Sequence, residues 1–143
     1  MTSYGEGWGL YAERLADEMN LYTSDLQRLG MLTLDSLRAV RLVVDTGLHA
    51  RGWSRQRAID FLHKNTALER SNAEGEIDRY IATPGQATSY MIGRLEIERL
   101  RMIAQREQRH QFDLAAFHDV VLNAGMTPLN DLARRVKEWI VSQ

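Results

Sequence analysis

The sequence predicts an all-α fold, a bundle of about six or seven helices, on three observations. Apolar residues recur at three- and four-residue intervals along most of the chain. Strict alternation of apolar and polar residues is scarce. The only prolines, Pro84 and Pro128, both sit where a helix is expected to start, a position at which the missing N–H costs nothing.

Leu10, Tyr11, Leu15, Met19 and Tyr22 predict a first helix over about Glu6 to Tyr22. Ser24 with Gln27 reads as a capping box opening a second helix towards Gly47, with Gly30 as a possible bend. The β-branched pair Val43-Val44 is also compatible with a strand, but the 3.6 period from Asp35 favours helix. His49-Ala50-Arg51-Gly52-Trp53 reads as a loop, after which Ser54 caps a short helix carrying Ala58, Ile59, Phe61 and Leu62. Ser71 with Glu74 predicts a second capping box, and Thr83-Pro84-Gly85 a break. A long helix is expected from about Gly85 to Gln108, then one capped by Asp113 and ended by Asn123-Ala124-Gly125. Thr127-Pro128 opens the last helix, with Leu132, Val136 and Trp139 on its apolar face. With no repeat or linker visible, residues 1–143 read as one helical domain.

Composition removes several function classes. At 143 residues, 44% apolar and 26% charged, the chain is long enough to bury a core. The net charge is -1 and no basic block occurs, which argues against nucleic acid as a partner. The absence of cysteine removes disulfides, thiol nucleophiles and cysteine-based zinc sites. No apolar run is long enough to span a membrane, and no signal-peptide pattern opens the chain, so a cytoplasmic location is expected.

No His-Glu-x-x-His, phosphate-binding glycine loop or Gly-x-Ser-x-Gly is present. His49, His63, His110 and His118 are too far apart in sequence to form a local metal pair. Glu6 and Glu13, seven residues apart, fall on nearly the same face of an aromatic-rich helix. That spacing suits a metal ligand with a supporting carboxylate, or simply a solvated acidic stripe. His49 reads either as a donor facing a cleft or as a cap on a helix C-terminus. Tyr90 reads either as an oxyanion donor or as a core tyrosine. Arg38 and Arg41 share a helical face and suit either a substrate carboxylate or ordinary ion pairs. His118 reads as structural.

The stretch Tyr4-Gly5-Glu6-Gly7-Trp8-Gly9-Leu10-Tyr11-Ala12-Glu13 resembles the bacterial family called domain of unknown function 885. Further blocks keep the family order: Arg38 to His49, Gly52-Trp53-Ser54, Glu76 to Tyr80, Pro84 to Gly93, Phe112-Asp113-Leu114, Phe117-His118-Asp119 and Gly125 to Leu129. The resemblance implies the C-terminal part of a larger, helical, zincin-like metallopeptidase. It implies that Glu6 matches a zinc-ligand position and that a His-Glu motif lies upstream in family members. In the complete family-like protein it further implies zinc as cofactor and a peptide-like substrate. This chain begins just before Glu6, so tight zinc binding and activity are not expected of it alone. The alternative expectation is a small non-catalytic helical interaction or oligomerisation module. Loss of the neighbouring helix is expected to expose Trp8, Leu10, Tyr11, Leu15 and Met19, and so to favour a homo-oligomer through the N-terminal helix.

Overall fold

The computed structural model describes residues 2–123 and 125–142, and among these it has seven α-helices and one 3-10 turn. In order they are α1 (Thr2–Glu18), α2 (Asp25–Ala50), α3 (Arg55–Asn65), α4 (Arg70–Ala82), α5 (Ser89–Gln108), the 3-10 turn Arg109–Gln111, α6 (Leu114–Leu122) and α7 (Leu129–Ser142). The chain is an all-α bundle. Among the described residues no helix is long and apolar enough to cross a membrane.

Local chemistry sets most boundaries. Ser24 Oγ accepts the Gln27 N–H at 3.3 Å, and Gln27 Oε1 reaches back to the Thr23 N–H at 2.8 Å. Ser54 Oγ accepts the Arg57 N–H, and Asp113 Oδ1 accepts the N–H groups of Ala115 and Ala116. Each satisfies donors that a helix start leaves without an intrahelical partner.

Five expectations are corrected. α1 starts earlier than Glu6 and ends at Glu18, where Asn20 takes a left-handed φ of 56° and turns the chain. Gly30 does not break α2, which continues through His49 and Ala50. The turn comes at Gly52, with φ 63°, and the Trp53 ring then lies against Gly47, where a Cβ would meet the indole at 2.5 Å. Ser71 caps nothing, because α4 already begins at Arg70, behind Glu69. Pro84 belongs to a turn ahead of α5, which opens at Ser89.

The buried side chains form two clusters. Tyr4, Tyr11, Ile97, Leu100, Phe117, Val121, Leu132 and Val136 join α1, α5, α6 and α7. Leu37, Val44, Ile59, Leu62, Ile77 and Tyr80 join α2, α3 and α4. The apolar face of α1 is therefore internal: Leu10 and Tyr11 are 3% and 2% exposed, and Trp8 and Leu15 pack on the first cluster. The expected uncovering of this face does not occur, because α5, α6 and α7 cover it; only Met19, beyond the helix end, is exposed.

Polar contacts fasten the two halves together. Asp35 on α2 pairs with Arg14 on α1 at 3.1 Å and with Arg94 on α5, and Arg94 also holds Glu98 at 2.7 Å. The Asp45 carboxylate of α2 accepts the backbone N–H of Gly85, at the turn that leads to α5.

Candidate functional site

The three helices that meet at this seam also bring together most of the residues singled out in the sequence. Glu6, Gly9, Leu10 and Glu13 from α1, Arg38 from α2 and Tyr90 from α5 line one small pocket of about 180 Å³. Glu6 and Glu13 share the α1 face that meets α2. The close crossing of α1 and α5 follows from small residues: a Cβ on Gly7 would lie 2.4 Å from the Gly93 Cα. That contact keeps the α1 carboxylates beside Tyr90.

The two arginines diverge. The Arg41 side chain is buried, donates from Nε to the Tyr80 hydroxyl at 2.7 Å and from Nη2 to Glu76 Oε2 at 2.7 Å. Arg38 lines the pocket, and its Nε is buried with no hydrogen-bond partner among the described residues. Both guanidinium carbons lie near the Tyr90 ring, at 5.4 Å for Arg38 and 5.3 Å for Arg41 from its centroid. Such contacts draw on the negative face of the ring and tie Tyr90 to two cations of α2. Glu13 Oε2 is likewise buried and without a partner among the described residues.

Behind Arg41 stands a network that sequence reasoning missed. Glu76 accepts hydrogen bonds from Arg41, Arg79 and the Tyr80 hydroxyl, the last at 2.5 Å. Partial burial pushes the Glu76 carboxyl up, but the hydrogen bonds from Arg79, Tyr80 and Arg41 outweigh it and hold it at about 2. Burial, followed by the bond to Glu76, pushes the Tyr80 phenol up. The spacing of Glu76 and Tyr80, one helical turn apart in a matched block, was the available signal.

The histidines lie apart from the pocket. His49 sits in the last turn of α2, and its Nε2 is 3.0 Å from the Tyr80 carbonyl oxygen near the end of α4. A carbonyl only accepts, so this nitrogen carries the proton. His63 Nδ1 is 2.9 Å from the Leu68 carbonyl. His118 Nε2 is 2.8 Å from the Tyr11 hydroxyl, which Arg101 also approaches at 3.1 Å. Burial, and then Arg101, push the His118 imidazolium below the ordinary histidine range.

The sequence profile described as "Bacterial protein of unknown function (DUF885)" matches residues 1–136. The chain belongs to this family. Family membership is thus established over nearly the whole chain. A crystal structure described as "the putative lipoprotein from Colwellia psychrerythraea" superimposes with a TM-score of 0.96 at 45% sequence identity. That alignment covers 99% of this chain and 24% of the other, so the chain spans about a quarter of that relative's length. No curated protein matches the sequence.

Zinc, which the resemblance implies for the complete family-like protein, does not fit the donors present here as a complete site. Among the described residues no three His, Cys, Asp or Glu side chains come together to hold a metal ion. Glu6 and Glu13 supply carboxylate oxygens alone, fewer donors than a four-coordinate site takes from protein.

Proposed function

We propose that the chain is a helical interaction module, non-catalytic on its own. The observation that carries this reading is an apolar ridge on the N-terminal half of α2. Leu26, Leu29 and Leu32 follow one another at three-residue spacing and are 78%, 59% and 45% exposed. Leu29 and Leu32 also form one side of an open groove of about 370 Å³ whose other side is the end of α3 and the connection after it, including Lys64 and Thr66. Consecutive exposed leucines on a regular helix suit burial against another apolar surface. For copies of one chain, a two-fold contact buries the same ridge twice. The homo-oligomer expected from the N-terminal helix is therefore proposed through α2 instead. Sedimentation equilibrium tests it: the native chain should associate with rising concentration, and Leu26→Glu with Leu29→Glu should remain monomeric. A native chain that stays monomeric at high micromolar concentration sinks the reading.

A second reading is favoured by the convergence of Glu6, Glu13, Arg38 and Tyr90 in one pocket. In a longer, zincin-like family protein these residues would form one wall of a hydrolytic site for a peptide-like substrate. Glu6 would contribute one zinc ligand beside Glu13, with the other ligands coming from elsewhere in the protein. Tyr90 would donate to a developing oxyanion, with His49 the more distant candidate, and Arg38, backed by Arg41, would hold a carboxylate. In such a longer protein Glu6→Gln should remove most activity, and Tyr90→Phe should lower turnover by roughly 10²–10³. Undiminished activity of the Glu6→Gln protein would dismiss this reading. We also propose a cytoplasmic location. Cell fractionation tests it, and the lipoprotein description of the Colwellia relative makes the cell envelope the competing outcome.

A further inference from the structure

We infer that two copies of the chain pair their α2 helices antiparallel about a two-fold axis beside Leu29, with Asp25 of each copy on Lys64 of the other. This rests on the interaction-module reading above and specifies the partner's direction, register and charge contacts.

One apolar seam runs along α2. Leu26, Leu29, Thr33, Leu37, Val40 and Val44 follow at steps of three or four residues, which keeps them on one helical face. The C-terminal half of the seam is covered, because Leu37, Val40 and Val44 pack in the cluster that α3 and α4 complete. The N-terminal half is bare, with Leu26 and Leu29 more than half exposed. The cause is length. α2 has 26 residues and is about 39 Å long at 1.5 Å per residue, whereas α3 has 11 residues and α4 has 13. The two short helices run out before α2 does. The groove beside Leu29, Leu32 and Thr33 opens there, at the end of α3. Its cover must continue what α3 and α4 supply further along.

The α2 helix of a second copy can lie on this stretch in one direction. A parallel α2 would carry its own C-terminal half over the seam that α3 and α4 already fill. An antiparallel α2 carries that half away past Asp25, and its own N-terminal end stops short of Leu37, where the internal cover begins. With the axis beside Leu29, that residue meets its own copy and Leu26 meets the partner's Leu32. No other centre sets all three leucines against leucines. Asp25 then faces the partner's Thr33, which shares the groove with Lys64.

Charge agrees with this register. Asp25 and Lys64 are both exposed, and neither enters an ion pair among the described residues. Arg28, three residues beyond Asp25, is taken by Asp17, and Asp60, one turn before Lys64, is taken by Arg70. The acid at the start of α2 and the base at the end of α3 are thus left for each other across the axis, once on each side of it.

Cross-linking and charge reversal test the register at concentrations where the native chain associates. The chain has no cysteine, so single introduced thiols report position cleanly under mild oxidation. Leu29→Cys should cross-link to itself. Leu26→Cys and Leu32→Cys should each fail alone, because like residues would stand about 9 Å apart along the axis, beyond disulfide reach. Mixed together, those two should cross-link. Asp25→Lys and Lys64→Asp, checked for unchanged thermal midpoints, should each raise the dimer dissociation constant by about tenfold. An equal mixture of the two should associate as tightly as the native chain, because it restores both opposite-charge contacts. Leu26→Cys that cross-links to itself as fast as Leu29→Cys, or a mixture of charge variants no tighter than either alone, would overturn this register and leave a homo-oligomer standing. A native chain that stays monomeric gives the seam to another polypeptide and removes both readings.

Discussion

Gly7 and Gly93 touch backbone to backbone where α1 crosses α5. A Cβ placed on Gly93 would sit 1.7 Å from the Ser3 carbonyl oxygen and 2.8 Å from the Gly7 Cα. The neighbour on each side is main chain, so no side-chain rotation relieves the overlap. This crossing sets how far the α1 carboxylates stand from Tyr90.

Gly93→Ala should therefore destabilise the fold by about 3 kcal/mol or more, at the upper end of overpacking costs. The higher helix propensity of alanine returns only about 1 kcal/mol. Urea unfolding checks this as a lower midpoint at unchanged slope. An unshifted midpoint would mean that the two helices separate without cost.

Gly75 and Gly30 are the opposite case. Both lie inside helices, and a Cβ at either meets nothing within 4 Å. Gly75→Ala and Gly30→Ala should each raise stability by up to about 1 kcal/mol through propensity and the stiffer unfolded chain. The same urea experiment reads them, and a loss of stability at Gly75 would contradict the open space around it.

Glu76 should impose an acid limb on stability. Its carboxyl is held at about 2 against an ordinary 4.5, so the stabilisation is complete above about 4.5 and lost as the pH falls towards 2. Glu76→Gln should flatten that limb. At neutral pH it should cost about 3 kcal/mol, because Arg41 stays buried without its carboxylate. Thermal midpoints across the acid range test both statements together.

His118 should titrate below the ordinary value of 6.5, because burial, and then Arg101, disfavour its cation. A depressed folded value means that its contribution is present above about 6.5 and lost as the pH falls through the folded value. Imidazole proton shifts report this directly. His118→Gln should remove the pH dependence over that interval, and a titration above 6.5 would refute the burial of the ring beside Arg101.

How far the sequence reveals this molecule depends on the range of the interaction. Helix starts governed by a local side chain, at Ser24, Ser54 and Asp113, are legible because donor and acceptor lie within three residues. Ser71 misleads because α4 begins two residues sooner, behind Glu69: the Thr66 hydroxyl accepts the Leu68 N–H and His63 Nδ1–H donates to the Leu68 carbonyl, turning the chain early. Glu6 and Glu13 could be placed on one face by spacing alone. That Arg38 and Tyr90 would join them depends on packing between three helices, to which periodicity is blind. The same limit hid the fate of Trp8 and Tyr11. Their amphipathic pattern demanded a cover but could not say that α5, α6 and α7 of the same chain provide it.

The Tyr4 hydroxyl donates to the Val121 carbonyl at 2.7 Å, a contact spanning 117 positions. The second apolar cluster, by contrast, draws on residues 37 to 87 only. A ribosome releases these parts in an awkward order. α1 is made before α2 but must wait for α5, and beyond it for α6, before its permanent neighbours exist, while α2, α3 and α4 meet each other early. During that wait Trp8, Leu10 and Tyr11 lack the cover that α5 and α6 give them in the folded chain, so α1 is the segment a chaperone would find, and the one most prone to aggregate if translation stalled before Val121.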